Sequence, residues 1–399
     1  MKLFKRLLVA PATLGLLAPL AVSASEVNLN DVANYSRSFV MSSATFDNAS
    51  STSSTSSTNT LVAGGEGMVD DHDHDGSFSE TTTASFSADF AIGDQDTRFG
   101  RGVVNALYGF QIDLNTSFTG EDSFDISIDA GNGGNGLSEL DLNEGAGGDD
   151  VLTVDGVAYT FPLAGATVFV GDNMDGSTLY STACVYGGPS NNLDDCGNGY
   201  SALGAGAGTA AGASYEFGDG FAVALGYTGA GSSTSGLMTK ESLDSFGGQL
   251  SYSADSYGAS FTAASIEGVT DTTDRNYYAV NGYWTPSETG FIPSISAGYE
   301  IGEAQNLADT SQWFVGLQWD EAGPGTFGTA VGTVGASMDN EQNSGDPELL
   351  MYEAFYSYAV NDGMTITPLV YYKETTSGIP NPNGDNELTG VMVKTSFSF

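Results

Sequence analysis

Apolar and polar residues alternate along most of this chain from residue 83 to its C-terminus. Because successive side chains on a β-strand point to opposite faces, a period of two predicts strands with one apolar and one polar face. In the last such segment, Val391 and Val393 share a face, whereas Met392 and Lys394 lie on the opposite one. Sixteen strands are predicted in this way, near residues 84–92, 103–115, 122–130, 157–162, 166–171, 205–217, 220–228, 245–254, 257–266, 275–285, 291–301, 311–319, 326–335, 350–360, 363–373 and 389–399.

The connections between the predicted strands alternate in length. Those after even-numbered strands are short, such as 218–219, whereas those after odd-numbered strands include 131–156 and 172–204. Membrane barrels have short periplasmic turns and long external loops, and an even number of strands returns both chain ends to the periplasm. The predicted fold is therefore all-β: a closed antiparallel transmembrane β-barrel of about 16 strands that follows a low-complexity N-terminal segment.

The last predicted strand ends on aromatic residues, as the closing strands of outer-membrane β-barrels commonly do. Phe397 and Phe399 are therefore the predicted barrel-closing residues. A strand surrounded by lipid cannot leave backbone N–H and C=O groups unpaired, and only a closed barrel pairs them all. The cell outer membrane is the predicted location. An amphipathic strand of a soluble sandwich is the alternative explanation of this segment taken alone.

The N-terminus has the features of a signal peptide. A basic start that ends at Arg6 precedes a largely apolar run to Val22, and small residues then predict cleavage after Ala24. The predicted organisation is a signal peptide at 1–24, a flexible polar segment at 25–82 and the barrel at 83–399. The segment before the barrel contains a run of Ser and Thr that cannot bury enough apolar surface to fold alone.

The chain's two histidines lie together in the polar segment. His72 and His74 are within the acidic run 70–75, which could hold a divalent cation, although a solvated acidic run is the favoured interpretation. Hydrolytic triads usually require a histidine, and neither a Gly-x-Ser-x-Gly elbow, a phosphate loop nor a Cys-x-x-Cys motif occurs. No enzyme activity and no cofactor are therefore predicted.

The chain is strongly acidic. It has 50 Asp and Glu against 10 Lys and Arg, a formal charge of -40. Removal of the signal peptide deletes three bases and no acids, which leaves 7 bases and a formal charge of -43. This balance argues against nucleic-acid binding through a basic patch. Charged residues make up 15 % of the chain, whereas about 25 % is usual in soluble domains.

The polar faces of the predicted strands carry charged side chains. A barrel of about 16 strands leaves an aqueous lumen, so these charges are interpreted as hydrated pore lining. Carboxylates concentrate cations and repel anions, which predicts a mild cation preference. The alternative is that most acids lie on external loops, where screening within about 8 Å would limit their effect on conductance. The predicted pore-lining residues are Asp89, Asp113, Asp125, Asp129, Glu216, Arg275, Glu300, Glu353 and Lys394.

Both cysteines lie in the longest predicted connection, 172–204, which is the third external loop of the predicted barrel. In an exported chain, Cys184 and Cys196 are expected to form a disulfide. A metal site would need further ligands, and only aspartates are nearby. Asp194 and Asp195, beside the second cysteine, mark a candidate constriction loop that narrows the lumen. A lid on the outer rim is the alternative position of this loop.

Several segments resemble a known family: 1–4 with 7–11, 26–36, 112–120, 159–163 and 183–197. They are similar to cyanobacterial outer-membrane porins of the carbohydrate-selective porin family, some members of which are labelled iron-uptake porins. The resemblance implies a 16-stranded barrel that passes small hydrophilic solutes or ions. Typical members also carry a surface-layer-homology domain and a coiled coil before the barrel. Residues 37–82 show neither, so the resemblance does not extend to cell-wall anchoring.

The predicted function is that of an outer-membrane porin for passive diffusion of small hydrophilic solutes or ions. Its expected partners are outer-membrane lipid and lipopolysaccharide, the barrel-assembly machinery and the permeating solutes, and a homo-oligomer is compatible with the sequence. A non-conducting barrel that acts as an adhesin or structural protein is the alternative, although it would usually need larger external loops or a folded plug. A calcium-binding β-solenoid would need repeated nonapeptides, which are absent.

Overall fold

The computed structural model describes the barrel region and most of its turns. The described residues are 82–96, 103–132, 140, 150–190, 193, 196, 207–230, 236–239, 243–267, 274–288, 290–304, 308–334, 337–339, 348–374 and 387–399. The predicted signal peptide, the acidic run at 70–75 and the polar segment up to residue 81 lie outside them. Within the described ranges, no helix is long and apolar enough to span a membrane.

The described residues form seventeen strand segments. They are β1 (Thr82–Asp96), β2 (Asn105–Thr116), β3 (Ser123–Gly131), β4 (Thr153–Leu163), β5 (Ala166–Met174), β6 (Gly208–Phe217), β7 (Phe221–Gly229), β8 (Asp244–Ser253), β9 (Tyr257–Ile266), β10 (Arg275–Trp284), β11 (Ser294–Ala304), β12 (Asp309–Ala322), β13 (Gly325–Thr333), β14 (Ser337–Asp339), β15 (Leu350–Asn361), β16 (Met364–Glu374) and β17 (Glu387–Ser398).

The strands form one closed antiparallel sheet. Apart from the short β14, which pairs with β12 and leaves β13 to pair with β15, each strand pairs with its neighbours in chain order, and β1 pairs with both β2 and β17. The last residue completes this seam, because the Phe399 N–H donates to the Phe86 carbonyl at 3.0 Å and the Phe86 N–H donates to the Phe399 carbonyl at 2.9 Å. Closure leaves no sheet edge in the hydrocarbon, as a membrane barrel requires.

The short strand β14 continues β13 at the same place in the ring. Phe314 of β12 pairs with Gly332 of β13, and Ser311 of β12 pairs with Ser337 of β14. The two segments therefore occupy one position beside β12. The barrel has sixteen strand positions, which confirms the fold class predicted from the sequence.

Several predicted strand bounds differ from the structure by up to four residues, and two of these differences have a clear local reason. β4 begins at Thr153 rather than near residue 157, because Ser127 pairs with Gly156 and Ile128 with Val154, so one residue of β4 bulges and interrupts the alternation. β11 begins after Pro293, since proline has no N–H to donate to a neighbouring strand.

The two faces of the strands differ as the alternation predicts. Phe90, Leu225 and Val280 lie on the outer face and are 52 %, 62 % and 51 % exposed in the isolated chain. Ala91 and Ala279, beside them in sequence, point inward and are buried. The outer face is suited to hydrocarbon, and the inner face carries most of the buried polar side chains.

β1 begins and β17 ends at the rim that carries the short turns. Thr82 of β1 pairs with Thr116, the last residue of β2, and the turn at 117–122 follows directly. Other connections at this rim are also short, such as 164–165 and 218–220. Barrels of the outer membrane place such turns in the periplasm and their longer loops outside the cell.

Candidate functional site in the lumen

Carboxylates lie on the inner face of β2 and β3. Asp113 accepts hydrogen bonds from Gln111 Nε2 and from Ser127 Oγ, both at 2.6 Å. Asp129 lies opposite Gln111 in the register of the two strands and accepts a hydrogen bond from the hydroxyl of Thr153 on β4. Small amide and hydroxyl groups thus hold these carboxylates in place.

A third carboxylate on this wall lies nearer the short-turn rim. Asp125 accepts hydrogen bonds from Asn115 Nδ2 at 2.6 Å and from Ser123 Oγ at 2.7 Å. We call Asp113, Asp125 and Asp129 the acid ladder. Its members project inward from two adjacent strands; Asp113 and Asp125 are only partly buried, whereas Asp129 is 5 % exposed.

The inward acid on β1 is neutralised by a base. Lys394 Nζ of β17 lies 3.0 Å from Asp89 Oδ2, and the two side chains are 14 % and 8 % exposed. The pair crosses the seam where the first and last strands meet. It therefore joins the two ends of the sheet while cancelling the charge of this part of the wall.

The other predicted pore-lining residues lie at different heights and in different surroundings. Glu216 is exposed close to the end of β6 at the short-turn rim. Arg275 donates through Nη1 to the carbonyl of Ala308 at 3.1 Å, near the opposite rim. Glu300 is 1 % exposed and accepts a hydrogen bond from Gln312 Nε2 at 2.8 Å. These residues therefore do not form a single charged ring.

The third external loop lies against the inner face of the barrel. Along residues 175–190, backbone groups bond to inward-facing side chains of successive strands. The Gly176 N–H donates to Thr228 Oγ1 of β7 at 2.5 Å, and the Ser181 N–H donates to Gln249 Oε1 of β8 at 2.7 Å. These bonds hold the start of the loop on the inside of the wall.

The middle of the loop is held by the next strands of the ring. Asn281 Nδ2 of β10 donates to the carbonyl of Ala183 at 2.9 Å. Ser296 Oγ of β11 accepts from the N–H groups of Val185 and Tyr186 at 3.0 and 3.2 Å. Buried backbone N–H and C=O groups need hydrogen-bond partners. The inward polar side chains provide these partners where the loop crosses the inner face of the barrel.

Tyr186 anchors the loop most strongly. Its hydroxyl donates to Glu353 Oε1 of β15 at 2.6 Å. Its ring centroid lies 5.2 Å from that of Phe314 and 5.8 Å from that of Phe355, both on the inner face. The side chain combines a hydrogen bond to a carboxylate with aromatic packing, and Glu353 is 3 % exposed beneath it.

Glycines on the inner face provide space for the loop. A Cβ atom on Gly226 would lie 1.8 Å from the carbonyl oxygen of Gly176, and one on Gly316 would lie 2.7 Å from the ring of Tyr186. The loop backbone and ring therefore occupy the volume that side chains at these two positions would fill.

Cys184 and Cys196 are joined by a disulfide, with their Cα atoms 6.1 Å apart. The bridge closes a ring that contains Tyr186 and Leu193, and both of these side chains are buried against the inner wall. The predicted constriction residues Asp194 and Asp195 lie outside the described residues. The structure therefore locates the stapled loop without describing these two side chains.

A second external connection also reaches the inside of the barrel. Leu140 forms an isolated antiparallel bridge with Ser190 of the third loop, and both residues are buried. Together with side chains from β1 and from β12 to β17, the two loops form a luminal apolar cluster. Its members are Ala91, Leu140, Tyr186, Leu193, Cys196, Phe314, Ala330, Met351, Phe355, Leu369, Tyr371 and Met392.

Sequence reasoning missed the residues that hold the loop. Gln249, Asn281 and Ser296 are uncharged and lie on separate strands, so no local motif marks them. The only available signal was the alternation along each strand, which places each of these residues at a polar position on the inward face. Lys373 was also missed, although it shares the inward face of β16 with Leu369.

The turn between β2 and β3 is organised by one carboxylate. Asp122 accepts hydrogen bonds from Tyr159 Oη at 2.6 Å, from the Thr119 N–H at 2.8 Å and from Ser117 Oγ at 2.8 Å. The Tyr159 hydroxyl has the largest effect, and together these donors hold the pKa of Asp122 well below its usual range.

The fold matches solved porin structures, although no protein-family model and no curated protein matches the chain. Pseudomonas putida OprB superimposes with a TM-score of 0.58 at 13 % identity, over 80 % of this chain and 94 % of that one. An anion-selective porin from Comamonas acidovorans gives 0.57 at 12 % identity, over 80 % and 100 % of the chains. A mutant of the Rh. blastica porin gives 0.54 at 14 % identity, over 80 % and 100 %. These likenesses and the closed barrel are consistent with the outer membrane.

Proposed function

We propose that this protein is an outer-membrane porin through which small hydrophilic solutes or ions diffuse passively. The observation that carries the proposal is the division of a closed sixteen-position barrel into an apolar outer face and a polar inner face. Barrels with about 16 strands leave an aqueous channel, whereas small barrels are filled by their own side chains. The resemblance of several segments to carbohydrate-selective porins supports the same function.

The position of the third external loop supports conduction over adhesion. Residues 175–190 lie inside the wall, where a loop narrows a passage, and not above the rim, where an adhesive surface would form. Most of the described anchors are hydrogen bonds with inward side chains, such as that from the Ser181 N–H to Gln249. A non-conducting adhesin or structural barrel is therefore not favoured.

We further propose a mild preference for cations. Acids outnumber bases on the described inner face, and the acid ladder is held by neutral donors. Carboxylates that face a water-filled passage attract cations and repel anions. The similar Comamonas porin is anion-selective, so a shared fold does not fix the sign of the selectivity, which depends on the side chains of each lumen.

Several finer expectations from the sequence belong to the same proposal. The mature chain would begin after Ala24, enter the membrane through the barrel-assembly machinery, and contact lipopolysaccharide with its outer rim. The permeant solute would be a sugar or an inorganic ion. Assembly as a homo-oligomer would leave each barrel with its own lumen.

Planar-bilayer recording tests this function. The refolded full-length mature chain is expected to give stable open steps in KCl, with a reversal potential on the cation side under a salt gradient. Absence of conductance from protein that shows the heat-modifiable migration of a folded barrel would overturn the porin function. A reversal potential on the anion side would overturn only the charge preference.

A further inference from the structure

The acid ladder forms a line of negative charge along the inner wall. In the register of β2 and β3, Asp125 lies nearest the short-turn rim, Asp113 follows, and Asp129 lies furthest from that rim. Four residues separate Asp125 from Asp129, and a strand rises about 3.3 Å per residue, so the ladder spans roughly 13 Å. That is about half of the apolar band of an outer-membrane barrel, which is roughly 25 Å tall.

The charges of the ladder are held in place without being cancelled by their hydrogen bonds. Asp113 is bound by an amide and a hydroxyl, and Asp125 is bound by an amide and a hydroxyl in the same way. Asp89 differs, because Lys394 neutralises it at 3.0 Å. Within the described ranges, the members of the ladder have no basic partner, so the negative charge of the partly buried Asp113 and Asp125 remains available to an ion in the lumen, and the buried Asp129 adds its field from beneath the surface.

The inward carboxylates on the other part of the wall lie in packed surroundings. Glu353 bonds to the hydroxyl of Tyr186, and a Cβ atom on Gly188 would lie 2.1 Å from its Oε1 atom. Glu300 is 1 % exposed and paired with Gln312. Next to Glu353, the luminal apolar cluster covers the inner face of β12 to β17 with Leu193 and Tyr186. Apolar side chains packed against one another in this way leave no room for hydrated ions.

We infer that ions cross this barrel off its axis, along the wall of β2 and β3, and that the acid ladder sets the charge selectivity. In the ring order, β2 and β3 lie outside the arc from β7 to β15 on which the third loop is anchored. Small hydrated cations are the favoured class, since each carboxylate can replace part of the hydration lost in the passage. Glu300 and Glu353 serve the packing of the loop and wall. This inference rests on the proposed porin function.

Neutralisation of the ladder provides the first test. The triple variant Asp113→Asn, Asp125→Asn, Asp129→Asn is expected to move the reversal potential in a KCl gradient from the cation side toward zero, with the open channel retained. Asparagine preserves the acceptor oxygen and the size of each side chain. Asp113→Asn alone removes one carboxylate of the ladder and is expected to give part of this shift. Glu300→Gln is its matched control, because it also removes one inward carboxylate and can still accept from Gln312. Its reversal potential is expected to equal that of the wild type.

Thiol labelling gives a readout that does not depend on conductance. The natural cysteines are joined in a disulfide, so a cysteine introduced by Asp113→Cys or Glu300→Cys provides the reactive thiol. A cationic, membrane-impermeant thiol reagent is expected to modify Asp113→Cys at least about tenfold faster than Glu300→Cys, since reactivity follows exposure. Controls are the unlabelled wild type and denatured variants, in which both positions should react alike.

The outcomes separate this inference from the porin function. A shift in reversal potential for Glu300→Gln as large as that for the triple variant would overturn the off-axis path, and so would equal labelling of the two thiols. If the wild-type barrel does not conduct, yet the Asp113→Cys variant labels rapidly, the porin function is refuted while the access of solvent to β2 and β3 is upheld. A triple variant with unchanged selectivity would refute the role of the ladder.

Discussion

The inner wall of this barrel has two parts that use polar residues differently. On β2 and β3, the polar side chains bond to one another and present Asp113 and Asp125 to the lumen. From β7 to β15, side chains such as Gln249 and Ser296 bond to the backbone of the third external loop. The same alternation of residues therefore produces inward polar side chains that bond to one another in one part of the wall and to a loop in the other.

This difference shows that an inward polar side chain is not by itself evidence of a pore. In a barrel that contains a loop, inward donors and acceptors can be required by the loop backbone, as Thr228, Gln249 and Ser296 are here. A buried backbone group without a partner costs about 1–3 kcal/mol. The neutral amides and hydroxyls on β8, β10 and β11 are well suited to this task, because they bond without adding a charge.

The largest effect is expected from a substitution that fills the space occupied by the third external loop. In Gly226→Val, the new side chain would occupy the position of the Gly176 carbonyl oxygen, since a Cβ atom there would lie 1.8 Å from it. The start of the loop must then leave the wall, and we expect a higher single-channel conductance in planar bilayers. Gly248→Val is the control, because its Cβ would meet the outward side chain of Leu225 at 3.0 Å and face lipid. Equal conductance of the two variants would show that the loop does not narrow the passage.

The next largest effect is expected at the ring of Tyr186. Removal of a large buried aromatic side chain costs about 3–5 kcal/mol, so Tyr186→Ala should loosen the loop and raise both the conductance and its open-channel noise. Tyr186→Phe keeps the packing with Phe314 and Phe355 but loses the bond to Glu353, which is worth about 1.5–3 kcal/mol. We expect this variant to show a smaller increase. If Tyr186→Phe equalled Tyr186→Ala, the hydrogen bond and not the ring packing would hold the loop.

The smallest effect is expected at the turn between β2 and β3, the two strands that carry the acid ladder. Because hydrogen bonds lower the pKa of Asp122 in the folded state, its contribution to stability is present above the unfolded pKa of about 3.9 and is lost as the pH falls toward the folded value. Asp122→Asn should therefore lower the melting temperature at neutral pH, with the difference from the wild type shrinking below about pH 4. Circular dichroism melting in detergent measures this. A difference that stays constant across the acid range would contradict the assignment.

Much of the fold could be predicted because its signal is local. The alternation of apolar and polar residues around Phe90, Leu225 and Val280 identifies each strand and its outward face within a few residues. The alternation of short and long connections then indicates a closed barrel. The prediction missed the early start of β4, where a bulge opposite Ser127 breaks the period of two. It also missed β14, which is only three residues long and pairs with β12 beyond the end of β13.

The sequence by itself determined the sixteen strands and their two faces, since both depend on neighbours along the chain. Only the tertiary structure decided which inward polar residues bond to the third external loop. Gln249, Asn281 and Ser296 lie on different strands and approach the backbone of residues 175–190 only when the sheet has closed and the loop has folded inward. The period of two predicts whether a side chain points into the barrel or out of it, but it contains no information about what packs against that face.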